Sequence, residues 1–442
     1  MMLGRDQALD ILHKAVKHCD ADQTQAVLAI GDSSLTRFAN SIIHQNVSER
    51  NAQLAVKAVV GKRIGFATTN KLTDESVKAV VEQAVGFARH SEENSDFVSL
   101  PEPKPIVRID TYDEQTAQYS PEDRAGDVAA MIREAGKHGA SAAGSLSNGY
   151  EEFAIVNSLG AEAYNTQTLA SLTTVMTSDG GYGYADRVAG RIGDFDPIDA
   201  AVEAASRSVQ SKNPESIEPG EYDVVLLPYA VVELVEFLAF LGLGALAVQE
   251  GRSFMGGKFG QRITGENITI WDDGLDPRGL PRPFDPEGVP KQRVDMIVNG
   301  VANAVVYDSY AAKKEGREST GHATAGIGTY GPMPSNMFMQ PGESSVDEMI
   351  QATEHGILVT RFHYTNAIHP IRTLITGMTR DGTFLIEDGR VTKPLRNLRF
   401  TDSVLDTLSN VDMISRDTKR QAWAVVPAIR ARKFRFTGAT EF

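Results

Sequence analysis

Apolar residues recur along this chain at two spacings, and the change from one spacing to the other marks out helices and strands. Ala8, Ile11, Leu12 and Ala15 fall three and four apart, which predicts an amphipathic helix over Gln7–His18. Strand-like segments follow at Ala26–Ile30, Ala52–Val60 and Ile64–Thr68. A second helix opens at Thr73, a capping residue, with Asp74 and Glu75 where the helix dipole favours acids. It stacks Val77, Val80, Val81, Ala84, Val85 and Ala88 on one face. The same order of elements then recurs. Ser120 and Pro121 start a helix that runs to a stop at Gly139, and strands are expected at Phe153–Asn157, Ala161–Thr166 and Leu169–Thr177. Asp196 and Pro197 open a closing helix expected to turn Ile198, Ala201, Val202, Ala205 and Val209 inward. The pattern predicts two repeated helix–strands–helix units with the Pro-rich Pro101–Pro105 at their seam.

Lys212–Gly220, KNPESIEPG, reads as a linker. It divides an N-terminal α/β domain, residues 1–212, from a C-terminal β-rich domain, residues 221–442. In the second part a strand at Tyr222–Leu227 leads into one apolar helix, Tyr229–Gln249. Short strands and turns follow, with turn signals at Asp272-Asp273-Gly274, Asp381-Gly382 and Asp388-Gly389. The expected class is α+β, its second domain barrel-like around a buried central helix.

Composition narrows the partners. Acidic residues outnumber basic ones by 58 to 44, which argues against sequence-independent nucleic-acid binding. The basic residues Arg430, Arg432, Lys433 and Arg435 read as a solvated strand. Cys19, the one cysteine, continues the apolar stripe of the first helix and is expected to be a buried structural thiol. With no disulfide available, a cytoplasmic setting is expected. The N-terminus has no basic region followed by an apolar run, so no signal peptide is expected. The apolar run Phe237–Val248 is too short to span a bilayer, so no membrane partner is expected.

Chemistry is suggested in three places. Glu233 and Glu236 share a face of the apolar helix, where they could bind a metal, act as acid and base, or simply form that helix's polar side. His322, His363 and His369 offer imidazoles without close ligand spacing, and Ser319 beside His322 is a conceivable nucleophile. The run Tyr307–Gly342 is the most irregular part of the chain. Its glycines, among them Gly316, Gly321, Gly326, Gly328 and Gly331, together with Pro332 and Pro334, shape a surface able to receive an extended peptide. There Gly321 is expected to admit a ligand backbone at close range.

The Ser-Thr-Gly-His-Ala run at Ser319–Ala323, with the Pro-Met-Pro and Pro-Gly-Glu pieces behind it, resembles the C-terminal half of the TldD/PmbA proteins. These are metallopeptidase subunits also named modulators of DNA gyrase. Ser48–Thr69, Phe284–Pro290 and Asp381–Lys393 are similar to further stretches of that family in the same order. The resemblance implies proteolysis by a dimer whose catalytic subunit holds zinc with a His-Glu-x-x-x-His motif and a C-terminal cysteine. Counting from Asp272-Asp273-Gly274 and from Ser253-Phe254 sets that motif at Glu236–Leu241. Glu236 then stands at the first ligand position, Phe237 at the general base and Leu241 at the second ligand, and Gln421–Ala424 holds no cysteine. Zinc needs lone-pair donors, which Phe and Leu lack. The family's zinc site is therefore expected to be absent, with no other cofactor, and the chain is closest to the PmbA, TldE-like branch. The implied function is a non-catalytic subunit in a homo- or heterodimer, the latter with a zinc-bearing TldD-type partner. It would bind unfolded peptide through Ser319, Thr320, Gly321, His322, Met333 and Pro334. Two alternatives stand beside it: a hydrolase of altered chemistry using His322, His363, His369 and Glu236, and a homodimeric peptide- or protein-binding regulator.

Overall fold

Helix boundaries follow the local signals closely. In the computed structural model, which describes residues 2–325, 331–421 and 423–439, the first unit runs α1 (Arg5–His18), β1 (Gln23–Ala39), β2 (Ile42–Val60), β3 (Arg63–Thr69) and α2 (Asp74–His90). Thr73 caps α2 by accepting from the Ser76 amide. A short α3 (Glu114–Ala117) precedes the second unit: α4 (Pro121–Lys137), β4 (Ser141–Asn157), β5 (Glu162–Ser178), β6 (Gly181–Ala189) and α5 (Pro197–Gln210). Ser120 and Asp123 form a reciprocal capping box on α4, and Asp196 caps α5. The strands make one antiparallel sheet in the order β3-β2-β1-β4-β5-β6, so the two units join through β1 and β4. The helices cover one face, where Leu28, Leu54, Val56 and Ala154 are buried against α1 and α2. Val128, Met131, Ala142, Leu172 and Ala204 form the matching core of the second unit.

Three expectations in this half need correction. Ala161–Thr166 and Leu169–Thr177 belong to one strand, β5, and the third strand of the unit is β6, which follows a tight turn with Asp179 and Gly180 at positive φ. The buried face of α5 consists of Ala200, Ala201, Ala204, Ala205 and Ser208, whereas Val202 and Val209 are each 39% exposed. The reason is close approach: a Cβ on Gly183 would lie 2.0 Å from the Ala204 carbonyl oxygen, so α5 rests on bare β6 backbone and needs small residues there. Cys19 caps the C-terminus of α1 and is half-buried rather than buried.

The second sheet has eleven strands: β7 (Gly220–Leu226), β8 (Ile270–Asp273), β9 (Arg293–Val298), β10 (Val301–Ala302), β11 (Met337–Met339), β12 (His355–His369), β13 (Leu374–Glu387), β14 (Arg390–Leu395), β15 (Leu398–Ser403), β16 (Val411–Gln421) and β17 (Ala424–Ala439). Five of them close a ring, because β7 pairs with β12 in parallel and with β17 antiparallel, and β12, β13, β15 and β17 pair in series. Phe362 contacts Phe400 and Phe434 inside it, with ring centroids 4.4 and 5.7 Å away. The apolar helix packs Ala230, Val231, Leu234, Val235 and Leu238 into this core. It is α6 (Pro228–Gly242) followed by a separate α7 (Ala245–Gln249), not one helix to Gln249. Gly244 breaks it where the Pro332 carbonyl oxygen would lie 2.1 Å from a Cβ. Asp388-Gly389 is the expected hairpin turn, whereas Asp381-Gly382 is an irregularity within β13, with Asp381 held by Arg361 at 2.6 Å. The linker is tied down too, since the Glu215 amide donates to the Pro394 carbonyl.

Candidate functional site

The face of the six-stranded sheet away from the helices looks onto the C-terminal half. Strand alternation places Gln25, Val27 and Ala29 of β1, Gln53, Ala55 and Lys57 of β2, Glu151 and Phe153 of β4, and Asn165, Gln167 and Leu169 of β5 on that face. The opposite wall comes from 277–286, 308–313, 323–325 and 331–335 with Arg420 and Trp423. Between them lies a groove divided into cavities of ≈ 760 and ≈ 1130 Å³. The segment Arg282–Gly288 makes the division. Arg282 pairs with Glu151 at 2.8 Å, Phe284 contacts the Phe153 ring at 5.9 Å, and Gln25 donates to the Pro286 carbonyl at 3.1 Å. Both cavities share Ala323, Thr324 and Ala325, so the irregular run forms part of the divider. Gly326 and Gly328 lie outside the described residues.

A buried polar network underlies the first cavity. Asp272, at the end of β8, is fully buried. Its Oδ2 accepts the Ser335 and Asn336 amides at 2.6 and 2.7 Å, and its Oδ1 accepts from His322 Nε2 at 2.8 Å. With Nε2 donating to a carboxylate, the other ring nitrogen of His322 accepts from the Thr320 hydroxyl at 2.9 Å. Burial opposes charge on Asp272, but the His322 hydrogen bond, Lys291 and the backbone amides bring its pKa down to about 2. Burial, and then the nearby Lys291, lower that of His322. Lys291 Nζ donates to Ser335 Oγ at 2.6 Å, and burial pulls its pKa below the usual lysine range. Asp285 accepts the Glu287, Val289 and Ala323 amides, and burial raises it to about 7. Lys291, Ser335 and Asp285 all line the cavity.

The residues singled out from sequence separate into two groups. Met333 and Pro334 line the groove. Ser319 and His322 are 8% and 0% exposed, the Ser319 hydroxyl donates to the Tyr307 carbonyl, and the Thr320 hydroxyl is taken up by His322. Gly321 sits at φ +76°, and a Cβ there would lie 2.4 Å from the Pro290 carbonyl oxygen. The close neighbour that requires glycine is thus the chain's own backbone and not a ligand. Nor does an imidazole centre form. His322 is sealed in, His369 is exposed, and irregular pairing within β12 between His363 and Asn366 and again between Ala367 and His369 breaks the alternation that would align His363 with His369. Among the described residues no group of three or more His, Cys, Asp or Glu side chains is arranged to hold a metal. The sequence reading missed Lys291, Ser335 and Asp285, and it took Asp272 for a turn residue. Asp-Asp-Gly resembles a turn wherever it falls, and nothing local distinguishes a buried carboxylate.

The polar face of α6 meets β6 and β16 elsewhere. Tyr229 accepts from Arg187 at 3.1 Å and donates to Glu203 at 3.0 Å, with Lys419 in hydrogen-bond contact. Glu233 accepts from the Thr365 hydroxyl. Burial, then Glu233 and Asp186, push Glu236 up to about 7. Phe237 and Leu241, at the general-base and second-ligand positions of the motif window, are half-buried and buried.

Comparison with known proteins gives one family. The PmbA/TldA metallopeptidase models match as domain 1 over residues 27–88, central domain over 113–212 and C-terminal domain over 219–438. A metalloprotease of Methanothermobacter thermautotrophicus is 27% identical over 60% of each chain. A PmbA homologue of Haemophilus influenzae is 24% identical over 55% of this chain and 51% of its own. The chain spans 60% or less of the length of these curated relatives. The crystal structure of TldE from Thermococcus kodakarensis superposes with a TM-score of 0.88 over 97% of this chain and 99% of that one, at 21% identity. That likeness concerns the fold.

Proposed function

Because this chain belongs to the PmbA/TldA metallopeptidase family, we propose that it is a subunit without zinc catalysis of its own, which holds unfolded peptide in the groove while a zinc-bearing TldD-type partner cleaves it. The observation that carries this reading is the donor set on α6. Zinc takes three or more nitrogen, oxygen or sulfur donors. Glu236 offers one carboxylate, which burial pushes toward its protonated form, and Phe237 and Leu241 offer nothing. The residues present do not fit the ion. Peptide capture is supported by the groove itself, walled on one side by polar and small apolar side chains of a sheet. Partner binding is supported by Tyr364, Ile368 and Ile371, which are 77%, 52% and 44% exposed at the end of the β12–β13 hairpin.

Two measurements test the reading. Elemental analysis of chain purified without added metal should find far less than one zinc per chain. Fluorescence anisotropy with a labelled unfolded peptide should report binding that Leu169→Asp, on the groove wall, weakens by roughly tenfold or more. Stoichiometric zinc in the folded chain would overturn the first half of the proposal, and unchanged affinity in the variant the second.

A further inference from the structure

The groove contains a reactive pair that neither the zinc chemistry of the family nor peptide capture uses. Ser335 and Lys291 both line the first cavity, and Lys291 Nζ lies 2.6 Å from Ser335 Oγ. We propose that Ser335 is a nucleophile and Lys291 its general base, making this cavity a site of metal-independent acyl transfer on a peptide or ester carbonyl. The substrate half of this inference rests on the peptide groove proposed above.

Three observations carry it. Ser335 is rigidly presented, because Asp272 accepts its amide and that of Asn336 and is itself fixed by His322. Lys291 is 7% exposed, and its stem packs where Gly274 has no side chain: a Cβ there would meet Lys291 carbons at 2.6 Å. Among the described residues Ser335 is the hydrogen-bond partner of Nζ, and no carboxylate forms an ion pair with it. A structural lysine buried to this degree is normally paired with a carboxylate. Here the amine meets a hydroxyl at the edge of an open cavity, the arrangement of a serine activated by a neutral lysine. The charged and titratable groups around it are Asp272 on β8, Asp285 and Arg282 on the segment that divides the groove, and His322 behind Asp272. Burial outweighs the two carboxylates and lowers the pKa of the amine.

The step balances without a co-reactant beyond water. Neutral Lys291 takes the Ser335 hydroxyl proton as Oγ bonds to the carbonyl carbon. The bond from that carbon to the leaving nitrogen or oxygen breaks, and the Lys291 ammonium passes the proton to the leaving atom. Water then attacks the acyl ester, gives a proton to Lys291, and Oγ departs and recovers it.

The test uses the full chain and a tagged fluorophosphonate, which modifies activated serines and needs no peptide affinity. Mass spectrometry should locate one adduct at Ser335, unchanged by 1,10-phenanthroline and absent in Ser335→Ala. Labelling should rise with pH and level off below the ordinary lysine value of 10.5. Lys291→Arg, which keeps charge and bulk, should slow it about 10²-fold or more. Should that variant fail to fold, Ser335→Cys retains the lysine. Its alkylation by iodoacetamide should show a midpoint below about 8.5, the usual thiol value. No adduct at Ser335 in folded protein, or a cysteine with an ordinary or raised midpoint, would overturn the proposal and leave Lys291 as a post for the Ser335 turn. Loss of peptide binding with labelling intact would instead remove the peptide as substrate and leave the pair.

Discussion

Gly321 shows how far a residue's meaning depends on what the chain places beside it. The sequence reading gave it to a ligand, but the structure puts the Pro290 carbonyl 2.4 Å from its missing Cβ, at φ +76°. Gly321→Val should therefore unfold the C-terminal half at lower denaturant, by roughly 1–3 kcal/mol from backbone strain with the clash in addition. Urea melts monitored by Trp fluorescence would show this, and a variant of wild-type stability would restore the ligand reading. Glu236 allows a pH test. Its folded pKa of about 7 lies above its ordinary 4.5, so the protonated form stabilises the fold fully below pH 4.5 and that contribution is lost as pH rises through 7. Glu236→Gln stays neutral throughout. Relative to wild type it should gain nothing near pH 4 and up to about 3 kcal/mol by pH 8. A difference independent of pH would contradict the burial argument. Neither residue's setting was legible beforehand, because both depend on contacts with segments distant in sequence.

At the scale of elements, legibility followed locality. Caps and prolines at Thr73, Ser120-Pro121 and Asp196-Pro197 marked helices whose starts the structure reproduces. The two closing helices also repeat in a way that no periodicity records. Gly65 of β3 would place a Cβ 2.1 Å from the Ala84 carbonyl oxygen, as Gly183 of β6 would 2.0 Å from that of Ala204. In both units the third strand is stripped of a side chain so that a helix can rest on its backbone. That same glycine content hid β6, since GYGY carries little strand signal. Gly183→Ala and Gly65→Ala should each cost about 1–3 kcal/mol in equilibrium unfolding. Gly136→Ala, in an exposed position of α4 with nothing within 4 Å, should stabilise by roughly 0.5–1 kcal/mol. Equal effects at all three sites would refute the close-packing account. The break after α6 was equally hidden, because it answers to Pro332 rather than to any neighbour in sequence.

For the whole molecule, the division into a repeated α/β half and a β-rich half with one apolar helix was readable, because hydrophobic period and turn chemistry are written locally. The groove was not. Its walls come from β1, β2, β4 and β5 on one side and from loops more than a hundred residues later on the other, and Lys291 and Ser335 on its floor rest on the buried Asp272 of β8 and His322. The ring has a further consequence, in time rather than space. Its opening strand, β7, closes against β17, with Gly220 opposite Phe436. On the ribosome the early strand must wait for the last one, a delay on the order of 10–40 s at usual elongation rates. During that interval α6 has been made but lacks part of its cover, and an apolar helix without cover invites chaperone binding. The six-stranded sheet has no such debt to later sequence. Nascent chains stalled after Leu395 should therefore present a protease-resistant N-terminal half and a digestible α6, and chains stalled beyond Ala439 should protect both. Protection of α6 in the shorter chain would mean that the ring forms its core before it closes.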